Sequence, residues 1–203
     1  MIKTYKAFIY LYIFLFSKTI LASSSASFLI SQTAFNNYDF AQVLYEFNTN
    51  INEDYKNDYL DELISAVVTE NIILAETIAK KILITNPDSQ EAKLVSMVKA
   101  YNNKNENEIH ALRLDSSGNK NNLYEFIFFQ NDKVKTKSSI SNALLEIVRS
   151  SYSNKDENYS QNYNFLLFYT TLSIFINNEN YEAFYIKGQL LQLIENYLSA
   201  EAA

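Results

Sequence analysis

The 203-residue chain has no cysteine and no tryptophan, one proline, one histidine and two glycines. Without cysteine it can form no disulfide and no thiolate nucleophile, and it cannot carry a lipid-modified export signal. A closed zinc site needs cysteine and histidine ligands, and a phosphate-binding loop needs clustered glycines, so both are excluded. An antiparallel β protein would need many tight turns, which draw on glycine and proline. The predicted fold class is therefore all-α.

The N-terminal residues have the composition of a secretory signal. Two lysines precede an uninterrupted apolar run over residues 7–16, and small residues follow. The run is short for a membrane span, which takes about 20 residues. We expect residues 1–26 to be a signal peptide, cleaved after Ala22 or Ala26, that exports the chain to a bacterial periplasm. An uncleaved membrane anchor is the alternative.

The chain is acidic, with 17 basic and 23 acidic residues. Cleavage of the signal removes Lys3, Lys6 and Lys18 and no acidic residue, which shifts the net charge from −6 to −9. Nucleic-acid binding draws most of its affinity from basic side chains that neutralise phosphates. We therefore expect no nucleic-acid partner.

Apolar pairs with helical spacing recur at an interval of 34 residues. The three pairs are Ala41 with Leu44, Ala75 with Ile78, and Ile109 with Leu112. Each pair predicts one packed face of a helix. Counting back by 34 from the C-terminal end relates Tyr197 to Tyr163 and Ala200 to Leu166, but this second series is out of phase with the first. An irregular connection is therefore expected in the polar stretches 102–108, 115–122 and 131–139.

This period and pattern resemble the tetratricopeptide repeat family. The copy with the greatest resemblance has Ala183, Gly188 and Leu191 in its first helix, and Tyr197 and Ala200 opening its second. By analogy with the family, Gly188 permits close helix approach and Leu191 fills the groove beside it. Asn86-Pro87-Asp88 resembles the family's helix-ending proline, and Asn177-Asn178 stands at the corresponding place in the fourth copy.

The resemblance implies a right-handed α-solenoid of antiparallel helix pairs over residues 27–203. We expect about five pairs, with the last incomplete, and therefore an N-terminal piece of a longer array that exposes apolar surface at its C-terminal edge (Gly188, Leu191, and Leu190 or Ile194). The predicted helices are 27–35 with 40–48, 58–68 with 72–84, 91–101 with 106–114, 123–129 alone, 140–151 with 163–176, and 182–194 with 197 onward.

No residue pattern in the chain points to catalysis, and we predict no catalytic residue, cofactor, metal or small-molecule substrate. His110 is a lone histidine among apolar neighbours. Paired carboxylates leave open glycoside hydrolysis or loose Ca²⁺ binding, although acidic residues in a first helical turn also complement the helix dipole. These carboxylates are Glu53-Asp54, Asp58-Asp61-Glu62 and Asp156-Glu157. The basic cluster Lys133, Lys135 and Lys137 is expected to be a solvated loop.

Tetratricopeptide arrays bind peptides along a concave face lined by the first helix of each pair. The resemblance implies partner-binding roles for Asp61, Tyr101, Tyr185, Gln189 and Gln192. The family's clamp for a peptide carboxylate is absent, since Leu60, Ile64 and Tyr185 stand at the nearest equivalents. The predicted function is a non-catalytic scaffold or adaptor for a protein or peptide. An exported all-α cell-wall hydrolase and a membrane-tethered accessory domain are the alternatives.

The export prediction can be tested with a reporter. A reporter fused after Ser27 should be processed and released from the host by osmotic shock, because the apolar run is shorter than a membrane span. Mass spectrometry of the mature N-terminus measures the cleavage. An intact N-terminus recovered in the membrane fraction would contradict a cleaved signal.

Overall fold

The chain is built from helices. The computed structural model describes residues 26–49, 59–114, 122–131, 133–153 and 162–201, and within these ranges it has ten helices and one two-stranded hairpin. The all-α prediction is thus confirmed. Packing divides the chain into two compact units, Met1–Asn57 and Asp58–Ala203. A single repeat domain over 27–203 stays a prediction, and the predicted signal at 1–26 lies almost entirely outside the described residues.

The first unit contains helices α1 (residues 26–36) and α2 (Phe40–Thr49). They pack through apolar side chains that include Ala34, Val43 and Phe47. One polar contact accompanies this packing, because the Ser27 hydroxyl donates a hydrogen bond to the buried carboxylate of Glu46. The two helices form a hairpin.

The second unit contains the remaining eight described helices and a short hairpin. The helices are α3 (Leu60–Val68), α4 (Ile72–Thr85), α5 (Gln90–Asn102), α6 (Glu106–Leu114), α7 (Asn122–Phe128), α8 (Lys137–Ser153), α9 (Tyr163–Ile176) and α10 (Tyr181–Glu201). Strands β1 (Phe129–Gln130) and β2 (Lys133–Val134) pair antiparallel between α7 and α8. The hairpin was not predicted. Strand β2 falls within the polar stretch 131–139, whereas Phe129 of β1 was predicted to end a helix.

The same turn joins α1 to α2, α3 to α4, and α5 to α6. In each turn one residue takes a left-handed conformation, and the residue after it donates its backbone N–H to the carbonyl of a buried alanine at distances of 2.8–2.9 Å. The side chain of the residue after the left-handed one accepts a hydrogen bond from the backbone N–H three positions further along the chain, at 3.1–3.3 Å. It thereby caps the next helix. The three sets are Ala34-Tyr38-Asp39, Ala66-Glu70-Asn71 and Ala100-Lys104-Asn105.

These turns correct the predicted repeat phase. The left-handed residues Tyr38, Glu70 and Lys104 are 32 and 34 positions apart, so the interval is not a uniform 34. The fourth residue after each capping residue is Val43, Ala75 or Ile109, and all three are buried. Ala41, which was predicted to pack, is exposed. The prediction was wrong there because the first copy is two residues shorter between turns.

A second kind of turn joins α4 to α5 and α9 to α10. Asn86 and Asn177 end their helices with nearly the same backbone angles, φ −134 and ψ 83 against φ −138 and ψ 92. Each side chain accepts a hydrogen bond from the backbone N–H two positions on, at 3.3 and 3.4 Å. Asn178 therefore occupies the place of Pro87, as predicted for the fourth copy.

Helix α9 is the centre of the second unit. It packs against α3, α5, α8 and α10. Its sequence contains no charged residue, and ten of its fourteen residues are buried. A helix that is apolar on every side is stable only when other elements surround it, which accounts for its position.

A buried hydroxyl pair joins α8 to α9. The Ser141 and Ser173 hydroxyl oxygens lie 2.7 Å apart, and each hydroxyl is also 3.0 Å from the other residue's carbonyl oxygen. The Asn180 amide donates to the Ser141 hydroxyl at 2.9 Å and so attaches the turn before α10 to the same point. Both serines are completely buried, so these groups depend on one another for hydrogen bonding.

The last predicted helix pair is instead one helix. Helix α10 runs without interruption from Tyr181 to Glu201, whereas a break was predicted between residues 194 and 197. No glycine, proline or capping residue lies in that interval to stop the helix. The predicted roles of Gly188 and Leu191 are also wrong. A Cβ added at Gly188 would meet no atom within 4 Å, and Leu191 is 46% exposed.

The hydroxyl pair yields a stability prediction. Ser173→Ala should lower the free energy of unfolding by about 1–3 kcal/mol, because it leaves the buried Ser141 groups with fewer partners. Urea denaturation of the full chain measures the change. Thr77→Ala is the matched control, since the Thr77 hydroxyl makes an exposed hydrogen bond within its own helix. Equal effects of the two substitutions would contradict a stabilising role for the buried pair.

Candidate functional site

The five predicted partner-binding residues fall on three helices of the second unit. Asp61 on α3 and Tyr101 on α5 are half-buried, and burial raises the pKa of Tyr101. Tyr185, Gln189 and Gln192 are exposed on α10. The Gln189 amide donates to the Tyr185 hydroxyl at 2.9 Å, so the structure brings these two together one helical turn apart.

The face shared by α3 and α5 is covered within the chain itself. Helix α9 packs on both, and seven residues of α3 and seven of α5 are buried. These are the first helices of two pairs, which would line the peptide groove that the resemblance implies. Asp61 and Tyr101 consequently border a filled surface rather than an open groove.

The outer face of α10 is open and apolar. Tyr181, Phe184, Tyr185 and Leu191 are 83%, 46%, 66% and 46% exposed. The opposite face of the same helix packs on α9 through Ala183, Leu190 and Ile194, which are buried.

Tyr181 and Phe184 were not predicted as surface residues. A signal for them is present in the sequence, because Tyr181, Phe184, Gly188 and Leu191 follow helical spacing on a different face from Ala183, Leu190 and Ile194. Two apolar stripes on one helix indicate two contact faces.

Ion pairs fix α10 to the rest of the second unit. The Lys187 ammonium lies 2.8 Å from the Glu70 carboxylate in the α3–α4 turn. The Arg149 guanidinium on α8 lies 2.5 Å from the Glu182 carboxylate. Hydrogen bonds to Glu182 and Glu146 raise the pKa of Arg149. The buried cluster of Leu145, Ile174 and Ala183 joins α8, α9 and α10. The outer face of α10 is therefore presented on a fixed support.

The histidine and basic residues occupy the region around β1. The His110 ring lies 5.5 Å from the Phe129 ring, and the Arg113 guanidinium lies 4.4 Å from that same ring. Arg113 also pairs with Glu125 through two contacts of 2.5 and 3.1 Å. The Lys135 ammonium contacts the Phe126 ring and carbonyl oxygen. These contacts join α6, α7 and the hairpin.

The candidate carboxylates are divided between described and undescribed residues. Glu62 is buried in α3 and Asp61 is half-buried beside it, whereas Glu53-Asp54, Asp58 and Asp156-Glu157 lie outside the described residues. Within the described part of the chain, no three His, Cys, Asp or Glu side chains group closely enough to hold a metal ion. No helix in that part is long and apolar enough to cross a membrane.

Two tyrosines, Tyr124 on α7 and Tyr169 on α9, have pKa values well above the usual value for a phenol. Burial raises the pKa of Tyr169 to about 12, and the negative charge of Glu91 adds to the shift. Burial also raises the pKa of Tyr124 well above its usual range, and its hydroxyl donates to the Gln90 carbonyl at 3.0 Å. Both phenols are held neutral among α5, α7 and α9.

A pH dependence of stability follows from Tyr169. Its raised pKa in the folded state means that folding favours the protonated phenol, whereas the unfolded chain releases the proton near pH 10. This contribution to stability is complete below about pH 10 and is lost as the pH rises towards 12. Tyr169→Phe should make the free energy of unfolding fall less steeply between pH 10 and 12, by at most about 1.4 kcal/mol per pH unit.

Urea unfolding at several pH values measures this difference, with Tyr181→Phe as the control at an 83% exposed position. An unchanged pH dependence for Tyr169→Phe would contradict a raised pKa of the partly buried Tyr169 phenol in the folded state.

The described residues define an all-α protein in which three helix hairpins, α1–α2, α3–α4 and α5–α6, share one kind of turn. Comparison of the chain with protein families, with characterised proteins and with solved structures finds no match in any of the three. The function is therefore argued from the described residues.

Proposed function

We propose that the chain is a non-catalytic interaction scaffold of the bacterial periplasm that binds a protein through the outer face of α10. The observation that carries the proposal is the exposed stripe of Tyr181, Phe184, Tyr185 and Leu191 on a helix whose other face is packed. Tyrosine and other aromatic side chains are the residues that most often anchor protein interfaces. We infer a partner that offers a neutral, apolar helix face.

The recurrence of the hairpin turn supports a relationship to tetratricopeptide repeats. Helices α3 to α6 form two successive pairs with matching turns, buried alanines and capping side chains. The packing of α9 on α3 and α5 departs from a linear solenoid, in which each repeat contacts only its neighbours. We therefore propose tetratricopeptide-like pairs in α3–α6, with the peptide groove of the family replaced as the binding surface by α10.

Export to the periplasm is part of the proposal and rests on the N-terminal sequence. The lysines, the apolar run and the small residues of positions 1–26 support it. An acidic chain without cysteine is compatible with that compartment, because its fold depends on no disulfide.

The binding proposal predicts the effect of three substitutions together. Changing Tyr185, Gln189 and Gln192 to Ala should reduce partner binding at least tenfold, because it removes an aromatic anchor, the amide that hydrogen-bonds to it and a further exposed amide from one helix face. Crosslinking in the native host followed by quantitative recovery of partners measures the loss, and circular dichroism checks that helicity is retained.

A matched control changes Ile73, Thr77 and Ile84 on α4 to Ala. Ile73 and Ile84 are 72% and 81% exposed, so this variant removes as much exposed apolar surface from another helix. If both triple variants bind partners equally well, the interface is not on α10 and the proposal fails.

A further inference from the structure

We draw no further inference here: the strongest candidate, the exposed apolar stripe of Tyr181, Phe184, Tyr185 and Leu191 on the outer face of α10, belongs to the surface already described, and nothing in the structure shows which molecule covers it.

Discussion

The burial of α9 on all sides is the constraint on which the second unit depends. Its apolar residues contact α3, α5, α8 and α10, and each fully buried large side chain contributes about 1.5–3 kcal/mol relative to exposure. Because α9 packs on α3 and α5, it covers part of the surface of the first helices of those pairs. The same contacts hold α10 with one face inward and the other outward. The position of the candidate site is thus a consequence of how α9 is covered.

The scarcity of glycine determines how the hairpins are built. Helices commonly end at a glycine in the left-handed conformation, but this chain uses Tyr38, Glu70 and Lys104 there. A side chain in that conformation costs about 1–2 kcal/mol. This cost is offset by the backbone hydrogen bond to a buried alanine and by the capping hydrogen bond that the side chain of Asp39, Asn71 or Asn105 accepts. Gly188, by contrast, lies inside a helix and against open space.

Much of the helix pattern could be predicted from local signals, and the errors have physical causes. Helix α9 was predicted with its observed ends, because an apolar run between asparagines marks both of them. The end of α10 was missed because family positions, Tyr197 and Ala200, were given more weight than the absence of any stop signal. The β1–β2 hairpin has two residues per strand, too few for an alternating pattern to be visible. The covering of α3 and α5 by α9 joins residues about 70 to 105 positions apart, and no local pattern encodes it.

The candidate site shows the same division between local and distant information. Tyr185, Gln189 and Gln192 could be placed on one exposed face from helical spacing alone. Asp61 and Tyr101 are half-buried, and their roles in partner binding stay predictions. The second apolar stripe on α10 was visible in the sequence, but it separates from the first only when the inner face is known to pack on α9. One stripe of α10 is therefore covered within the fold, and the other, from Tyr181 to Leu191, is exposed.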